Sequence, residues 1–343
     1  MASDGYDIID TKELSLDTIF EISKLALLAH GANKENADAV ANTVMMAERD
    51  GSIAHGLFRI PGYISALKSR KVNGSAKPVI KEISPIIFRC DAQNGFAPLA
   101  HKYSLVPLIT AAKSNGIAAV AIQRSHHFAA LWPEVETISD NGLVGFTCVS
   151  YLPCVAPIGG SEPIFGTNPL AFSWPRPGQN PMGIDMATSA MAMGDIKIAA
   201  RDGHEVPIGT GLSSSGQLTT SAAEIAKGML LPFGGHKGSA IALMVELLSG
   251  PLIGESFSYE SKERDNGDGG PPQGGQFILA LSPEVISGEN WSNQCNKFFQ
   301  IYNNIDGVRL PGARRHKNRS ANKIRKINAQ LLETIQNLTD EAN

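Results

Sequence analysis

The spacing of apolar residues changes at Val79, and that change restricts the chain to folds that combine helices with a sheet. Upstream, Ser15 can cap a helix whose apolar positions Ile19, Ile22, Leu25, Leu27 and Leu28 lie near helical spacing, with His30-Gly31 at its end. Asn33 then caps a second helix carrying Ala37, Val40, Ala41, Val44 and Met45, which runs to Arg49-Asp50-Gly51, where a glycine permits the turn. Downstream come the short runs Val79-Ile80, Ile86-Ile87-Phe88, Ile117 to Ile122, Leu143 to Val149 and Phe277 to Leu281, which read as strands. Helical stretches, Pro98 to Ser114 and Ile241 to Leu248, alternate with them, so the fold class is mixed α/β (α+β). Pro98 suits a first helical turn, and Pro107 is a candidate kink. Ser261 to Gly275, rich in Gly, Pro and charge, reads as an exposed loop, and Asn322 to Asn343 as a closing amphipathic helix. With no internal repeat and no long linker, two interleaved lobes are expected.

With 343 residues, 43% hydrophobic and 18% charged, the chain can bury one large core or two ordinary ones. Its net charge of −3, from 30 basic and 33 acidic residues, lacks the electrostatic footprint of a nucleic-acid binder. No nucleic-acid partner is therefore expected, and small neutral or anionic ones are. The one basic run, Arg309 to Arg325, can face a phosphate group or water. Cys90, Cys148, Cys154 and Cys295 show no CxxC spacing, and the first three sit in or beside apolar runs, so they read as reduced and structural. No basic start followed by an apolar stretch opens the chain, and no segment approaches the roughly 18 apolar residues of a membrane span. The expectation is no membrane partner and a cytoplasmic location.

A nicotinamide enzyme of the usual kind shows G-x-G-x-x-G between a strand and a helix. That run is missing, and Gly209-Thr210-Gly211 follows no convincing strand and reads as a turn. A Walker A lysine motif is missing too, which weighs against phosphoryl transfer. In the segment Asp50 to Arg59, His55 and Arg59 stand four apart and share a face if a helix continues past Gly56. The pair suits a small-molecule carboxylate substrate, a 2-oxo or 2-imino acid. Arginine would grip the carboxylate while histidine exchanges a proton beside the carbon that accepts hydride. The same two residues can equally be a satisfied polar group at a helix junction and a surface charge. Ser125-His126-His127-Phe128-Ala129-Ala130 follows the strand-like run Gly116 to Arg124, placing both histidines at a strand-to-helix turn whose N–H groups can receive a phosphate. No HExxH or Cys/His spacing accompanies them, so no metal site is assigned. Leu230 to Ser239, with His236 and Lys237, leads a Gly-rich turn into an apolar helix, where a pyrophosphate fits and so does a plain turn. Asp185 and Asp195 flank an apolar stretch in which a carboxylate is usually paired. His55 is a natural partner for Asp195, and a helix cap or surface position is the other reading.

Taken in order, DGSxxHGxxR at 50 to 59, SHHFAALWP at 125 to 133, FGTNPLAF at 165 to 172, IDMATS at 184 to 189, LLPFGGHKGSA at 230 to 240 and RLPGARR at 309 to 315 resemble the malate/L-lactate dehydrogenase family. The resemblance runs over nearly the whole chain. Within the family it is greatest to the Δ1-piperideine-2-carboxylate/Δ1-pyrroline-2-carboxylate reductases. What it implies is a homodimer whose nicotinamide-binding domain is a largely antiparallel sheet with flanking helices, unrelated to Rossmann topology. A helical domain, residues 1–75 completed by about 305–343, would pack against a sheet domain of residues 76–304.

By the same resemblance His55 is the proton donor, Arg59 holds the substrate carboxylate, Asp195 supports the histidine and Thr167 contacts ligand. His126, His127, Phe128, Ala129, Ala130, Asp185, Met186, Ala187, His236, Lys237, Gly312, Ala313, Arg314 and Arg315 correspond to the cofactor's surroundings. The cofactor implied is NADPH, with NADH as the other possibility, and Arg314, Arg315 or Lys197 could meet a 2′-phosphate. One departure stands out. The family usually has serine immediately before its histidine, whereas this chain has Ala54, leaving Ser52 as the hydroxyl that could reach the ring. The implied activity is reduction of a cyclic 2-imino acid. The alternatives are dehydrogenation of an open-chain 2-hydroxy acid such as malate, lactate, ureidoglycolate or a sugar acid, and a catalytically silent cofactor-binding protein.

Overall fold

The computed structural model describes residues 10–126, 129–321 and 323–342. Its first helices are set by their caps. Ser15 Oγ accepts the Thr18 N–H at 3.0 Å and opens helix Leu16–Ala29. Asn33 Oδ1 accepts the Asn36 N–H at 2.9 Å and opens helix Lys34–Asp50, which Gly51 ends in the left-handed region at φ 80°. The helix ends at Gly51 as expected, and the condition under which His55 and Arg59 would share a helix face, a helix continuing past Gly56, is not met. Ile53–His55 and Leu57–Arg59 are separate 3-10 turns, broken at Gly56 (φ −89°, ψ −140°), and helix Ile60–Lys68 follows. The break has a local cause: the Leu57 N–H, which a continuing α-helix would give to the Ile53 carbonyl, is donated to the buried Glu48 carboxylate at 2.8 Å. Ile19, Leu27, Val40, Val44, Leu57, Ile60 and Ile64 pack into one core that Ile327 and Ile335 complete from the far end of the chain.

That far end also differs from the single closing helix expected. Ile324–Asn328 is a strand, antiparallel to strand Thr11–Ser15 with Thr11 opposite Asn328, and only then does helix Ala329–Asp340 begin, capped by the Asn328 side chain. The pairing satisfies backbone groups that each segment alone would leave open.

The main sheet has seven strands in the order Val79–Ser84, Ile87–Asp91, Ile117–His126, Gln273–Leu281, Val144–Val149, Leu170–Trp174 and Met182–Met186. Among the described residues every pairing in it is antiparallel except that of Ile87–Asp91 with Ile117–His126, which are joined by helix Ala97–Asn115. This is not Rossmann topology, which needs a parallel sheet. Pro107 is accommodated inside helix Ala97–Asn115. One sheet face packs Val120, Ile122 and Ile278 against Leu108, Ala112 and Ile138. On the other face, Ile87, Ile117, Ala121, Phe277 and Leu279 line a shallow apolar depression of about 340 Å³ together with Leu252. Leu170–Trp174 and Met182–Met186 were not signalled by β-branched runs; each becomes a strand by pairing with its neighbour.

A third core, including Val155, Phe165, Ile196, Ile225, Leu230 and Ala242, holds helices Met193–Arg201, Ala222–Lys227 and His236–Ser249 around a small three-stranded sheet. Residues 261–275 are only partly the exposed loop expected. Ser258–Glu263 is helical, Gly270, Pro271 and Pro272 are buried, and strand Gln273–Leu281 begins before the stretch ends. Lys71 draws this segment inward by ion pairs to Asp265 at 2.9 Å and to Asp268.

Candidate active site

The two 3-10 turns carry the chemistry-bearing pair without a shared helix face. Ser52 Oγ and His55 Nδ1 are hydrogen-bonded at 3.1 Å, so the hydroxyl that the sequence offers in place of the absent serine at 54 does reach the ring. Burial, and then the Arg59 charge, push the His55 imidazole down to about 3. Arg59 is itself buried, with its guanidinium 5.5 Å from the centre of the Phe58 ring. Burial lowers its pKa, and Tyr151, Tyr63 and Asp195 oppose that loss. Tyr151 has been missed by sequence reasoning because no pattern marks it; burial pushes its hydroxyl far up. His55, Arg59, Tyr151, Thr167 and Met193 line one cavity of about 60 Å³.

This cavity adjoins a larger cleft of about 470 Å³ that shares His55 and Thr167 and extends past Asp185 to Arg314 and Arg315. Asp195, on the first turn of helix Met193–Arg201, opens into that cleft. Among the described residues no hydrogen bond joins it to His55. Burial raises its carboxyl pKa, opposed by Arg59 and Arg314, so Asp195 sits electrostatically between the two arginines. Asp185 accepts the N–H groups of Leu131 and Trp132 at 2.8 and 2.9 Å, and burial pushes its carboxyl up to about 6 against those two bonds and Arg315.

The floor of the cleft is an ionic network that sequence reading did not find. Asp50, read there only as part of a helix end, has a carboxylate that accepts from Arg49 at 2.7 Å, from Arg319 at 2.6 Å and from the Trp132 indole N–H at 3.0 Å. Arg319 also reaches Glu136 at 2.8 Å. Arg315 lies 5.2 Å over the Trp132 ring and donates to the Gly183 carbonyl at 2.8 Å. The basic run from Arg309 is therefore neither a plain solvated face nor all free for a ligand: Arg315 and Arg319 are committed internally, while Arg314 has no hydrogen-bond partner among the described residues.

Of the residues expected around a cofactor, Ala129, Ala130, Asp185, Met186, Ala187, Arg314 and Arg315 line the cleft. His126 does not; it is buried in the sheet with Nδ1 bonded to the Pro271 carbonyl at 3.0 Å. His236 and Lys237 are exposed on the first turn of helix His236–Ser249 and do not line the cleft, although Phe233 just before them does. Gly312 packs against the Gly183 backbone, and Ala313 lines a separate depression with His316 and Lys317. His127 and Phe128 lie outside the described residues. Lys197 feels the charge of Arg59 and the Cys154 thiol, on the substrate side of the site, and is absent from the cleft wall.

Residues 14–336 match the malate/L-lactate dehydrogenase family. The chain belongs to that family. It is 42% identical over 317 residues, 92% of this chain and 93% of the relative, to Δ(1)-pyrroline-2-carboxylate reductase of Ancylobacter novellus. Among solved structures it is similar to Δ1-piperideine-2-carboxylate reductase of Pseudomonas syringae, with TM-score 0.90, 40% identity, and 96% of this chain and 100% of that one covered. Malate dehydrogenase of Entamoeba histolytica superposes with TM-score 0.87 at 26% identity, covering 97% and 99% of the two chains. Reductases and dehydrogenases make up these relatives, and this chain is an oxidoreductase that uses a nicotinamide cofactor.

Proposed function

We propose that the chain reduces a cyclic 2-imino acid, Δ1-pyrroline-2-carboxylate or Δ1-piperideine-2-carboxylate, to L-proline or L-pipecolate with NADPH. The observation that carries the reading is the pairing of Arg59 and His55 on the wall of one small cavity that adjoins the cleft of about 470 Å³. The names of the similar reductases support the substrate class.

The cleft suits a dinucleotide by its chemistry. Met186, Ala187, Met191 and Phe233 give apolar walls for flat rings, and Arg314 at one end offers a cation without an internal hydrogen-bond partner among the described residues. We assign any 2′-phosphate to Arg314 and not to Arg315, which is engaged. When bound, the cofactor supplies a hydride. Arg59 would hold the carboxylate of the imino acid, since burial disfavours its charge and a substrate carboxylate would add to the opposing effect of Tyr151, Tyr63 and Asp195. His55 has Nδ1 tied to Ser52, which leaves Nε2 for the substrate. Its depressed pKa keeps the ring neutral, so Nε2 would hold the substrate nitrogen by a hydrogen bond, and the proton that this nitrogen keeps as it becomes an amine would arrive with the substrate. A substrate bound as the protonated iminium already carries that proton. This is consistent with a catalytic turn that has Ala54 where the family usually has serine.

Steady-state reduction of Δ1-pyrroline-2-carboxylate, set beside pyruvate and oxaloacetate, tests the reading. A higher kcat/KM for either keto acid would replace it by the open-chain 2-hydroxy acid dehydrogenase reading, which the similarity to malate dehydrogenase favours. Homodimerisation through the apolar sheet face around Ile117 and Leu252 fits the same reading, because a monomer would leave that face to water. So do a cytoplasmic location and the division into lobes 1–75 with 305–343 and 76–304. No helix among the described residues is long and apolar enough to cross a membrane.

A further inference from the structure

Glu48 stands in the last turn of helix Lys34–Asp50 and is 4% exposed. A carboxylate there pays a desolvation cost, and its pKa is raised by burial to about 7, opposed by the Leu57 N–H and by Arg325. Its Oε1 accepts that N–H at 2.8 Å, and Leu57 is the residue midway between His55 and Arg59. The neighbouring glycine is shaped around the same atom: a Cβ at Gly56 would stand 2.0 Å from Glu48 Oε1, although the φ of −89° is open to any residue. The helix end that carries Glu48 is held in turn by Arg325, which donates to the carbonyls of Glu48 at 3.0 Å and Arg49 at 2.6 Å.

We infer that Glu48 is a positioning residue for the reaction: its buried carboxylate fixes the Gly56–Leu57 junction, and through it the relative placement of the His55 imidazole and the Arg59 guanidinium. The two side chains sit on separate 3-10 turns, so no regular helix fixes their spacing, and the carboxylate clasp takes over that task. A displacement of about 1 Å at such a junction is enough to cost on the order of 100-fold in rate. The inference rests on the proposed roles of His55 and Arg59, but its structural half does not depend on the substrate.

The test compares Glu48→Gln with Glu48→Ala in the full-length protein. Glutamine keeps an oxygen that can accept the Leu57 N–H; alanine keeps none. The first readout is hydrogen exchange of the peptide spanning 53–59, measured without substrate. Exchange at least 10-fold faster in Glu48→Ala and near the parent rate in Glu48→Gln is expected. Equal exchange in parent and Glu48→Ala would overturn the clasp. The second readout is kcat and KM with NADPH and whichever 2-imino or 2-oxo acid the parent reduces best. Glu48→Ala should lose at least 10-fold in kcat/KM, and Glu48→Gln should stay within about three-fold of the parent. Loss of clasp protection in Glu48→Ala with unchanged kcat/KM would overturn the positioning role. So would equal losses in both variants. A parent that prefers pyruvate to the imine overturns the substrate reading alone and leaves this comparison standing.

Discussion

Replacing Asp50 by asparagine should loosen the floor of the cleft without changing its shape. The carboxylate is fully buried and accepts five hydrogen bonds: two from Arg49, two from Arg319 and one from Trp132. Asparagine keeps one acceptor oxygen and removes the charge, leaving two guanidinium groups facing a neutral amide. Breaking a buried pair by neutralising one partner costs about 3–5 kcal/mol, and the remaining acceptor together with Glu136 on Arg319 places Asp50→Asn near the lower end, about 3 kcal/mol. At about 2.1 cal/mol/K per residue over 343 residues the unfolding entropy is about 0.7 kcal/mol/K, so the melting temperature should fall by about 4 °C. Because Trp132 and Leu131 together donate to Asp185 in the cleft wall, the KM for NADPH should rise alongside. Thermal unfolding of Asp50→Asn, Arg319→Met and the double variant, with NADPH kinetics on each, measures both effects. A coupling of about 1–3 kcal/mol between the two sites is expected. A melting temperature within about 1 °C of the parent and additive double-variant behaviour would refute the network as a support for the cleft.

Three further outcomes follow from the same geometry. Arg59→Met should raise KM for the carboxylate substrate about 10- to 150-fold, the range of about 1.5–3 kcal/mol for hydrogen bonds to a charged group, while His55→Ala lowers mainly kcat, by about 100-fold; steady-state kinetics that show the reverse split would exchange the two roles. Asp185 has a folded pKa raised by burial to about 6 from 3.8, so the stability it contributes is present below about pH 4 and lost as pH rises through 6. The melting temperature of Asp185→Asn relative to the parent should therefore climb between pH 4 and pH 7, and a difference that does not change with pH would contradict the buried, ionising carboxylate. Gly56→Ala should lower the melting temperature because its Cβ meets the Glu48 carboxylate, and Glu48→Ala in the same chain should recover part of that loss; a double variant no more stable than Gly56→Ala would show that the clash is not with Glu48.

What the sequence determined by itself is what one turn or one strand can settle. Ser15 and Asn33 cap helices because a side-chain oxygen reaches an N–H three residues on, and Gly51 ends one because it can hold a positive φ. The apolar runs at 87, 117, 144 and 277 became strands because their side chains have a face to bury, and the ordered motifs carried the family. Contacts between distant segments were decided by the tertiary structure. The strand at Ile324 exists because Thr11–Ser15 lies beside it, and Gly270 to Pro272 went inside because Lys71 and the sheet received that loop. The helix past Gly56 that would have put His55 and Arg59 on one face gave way to a carboxylate nine residues before Leu57. Asp50, Trp132 and Arg319 meet only when three separate elements converge. A backbone or side-chain polar group takes the best partner the assembled fold brings within about 3 Å, and the linear pattern names the donors and acceptors without saying which of them will meet.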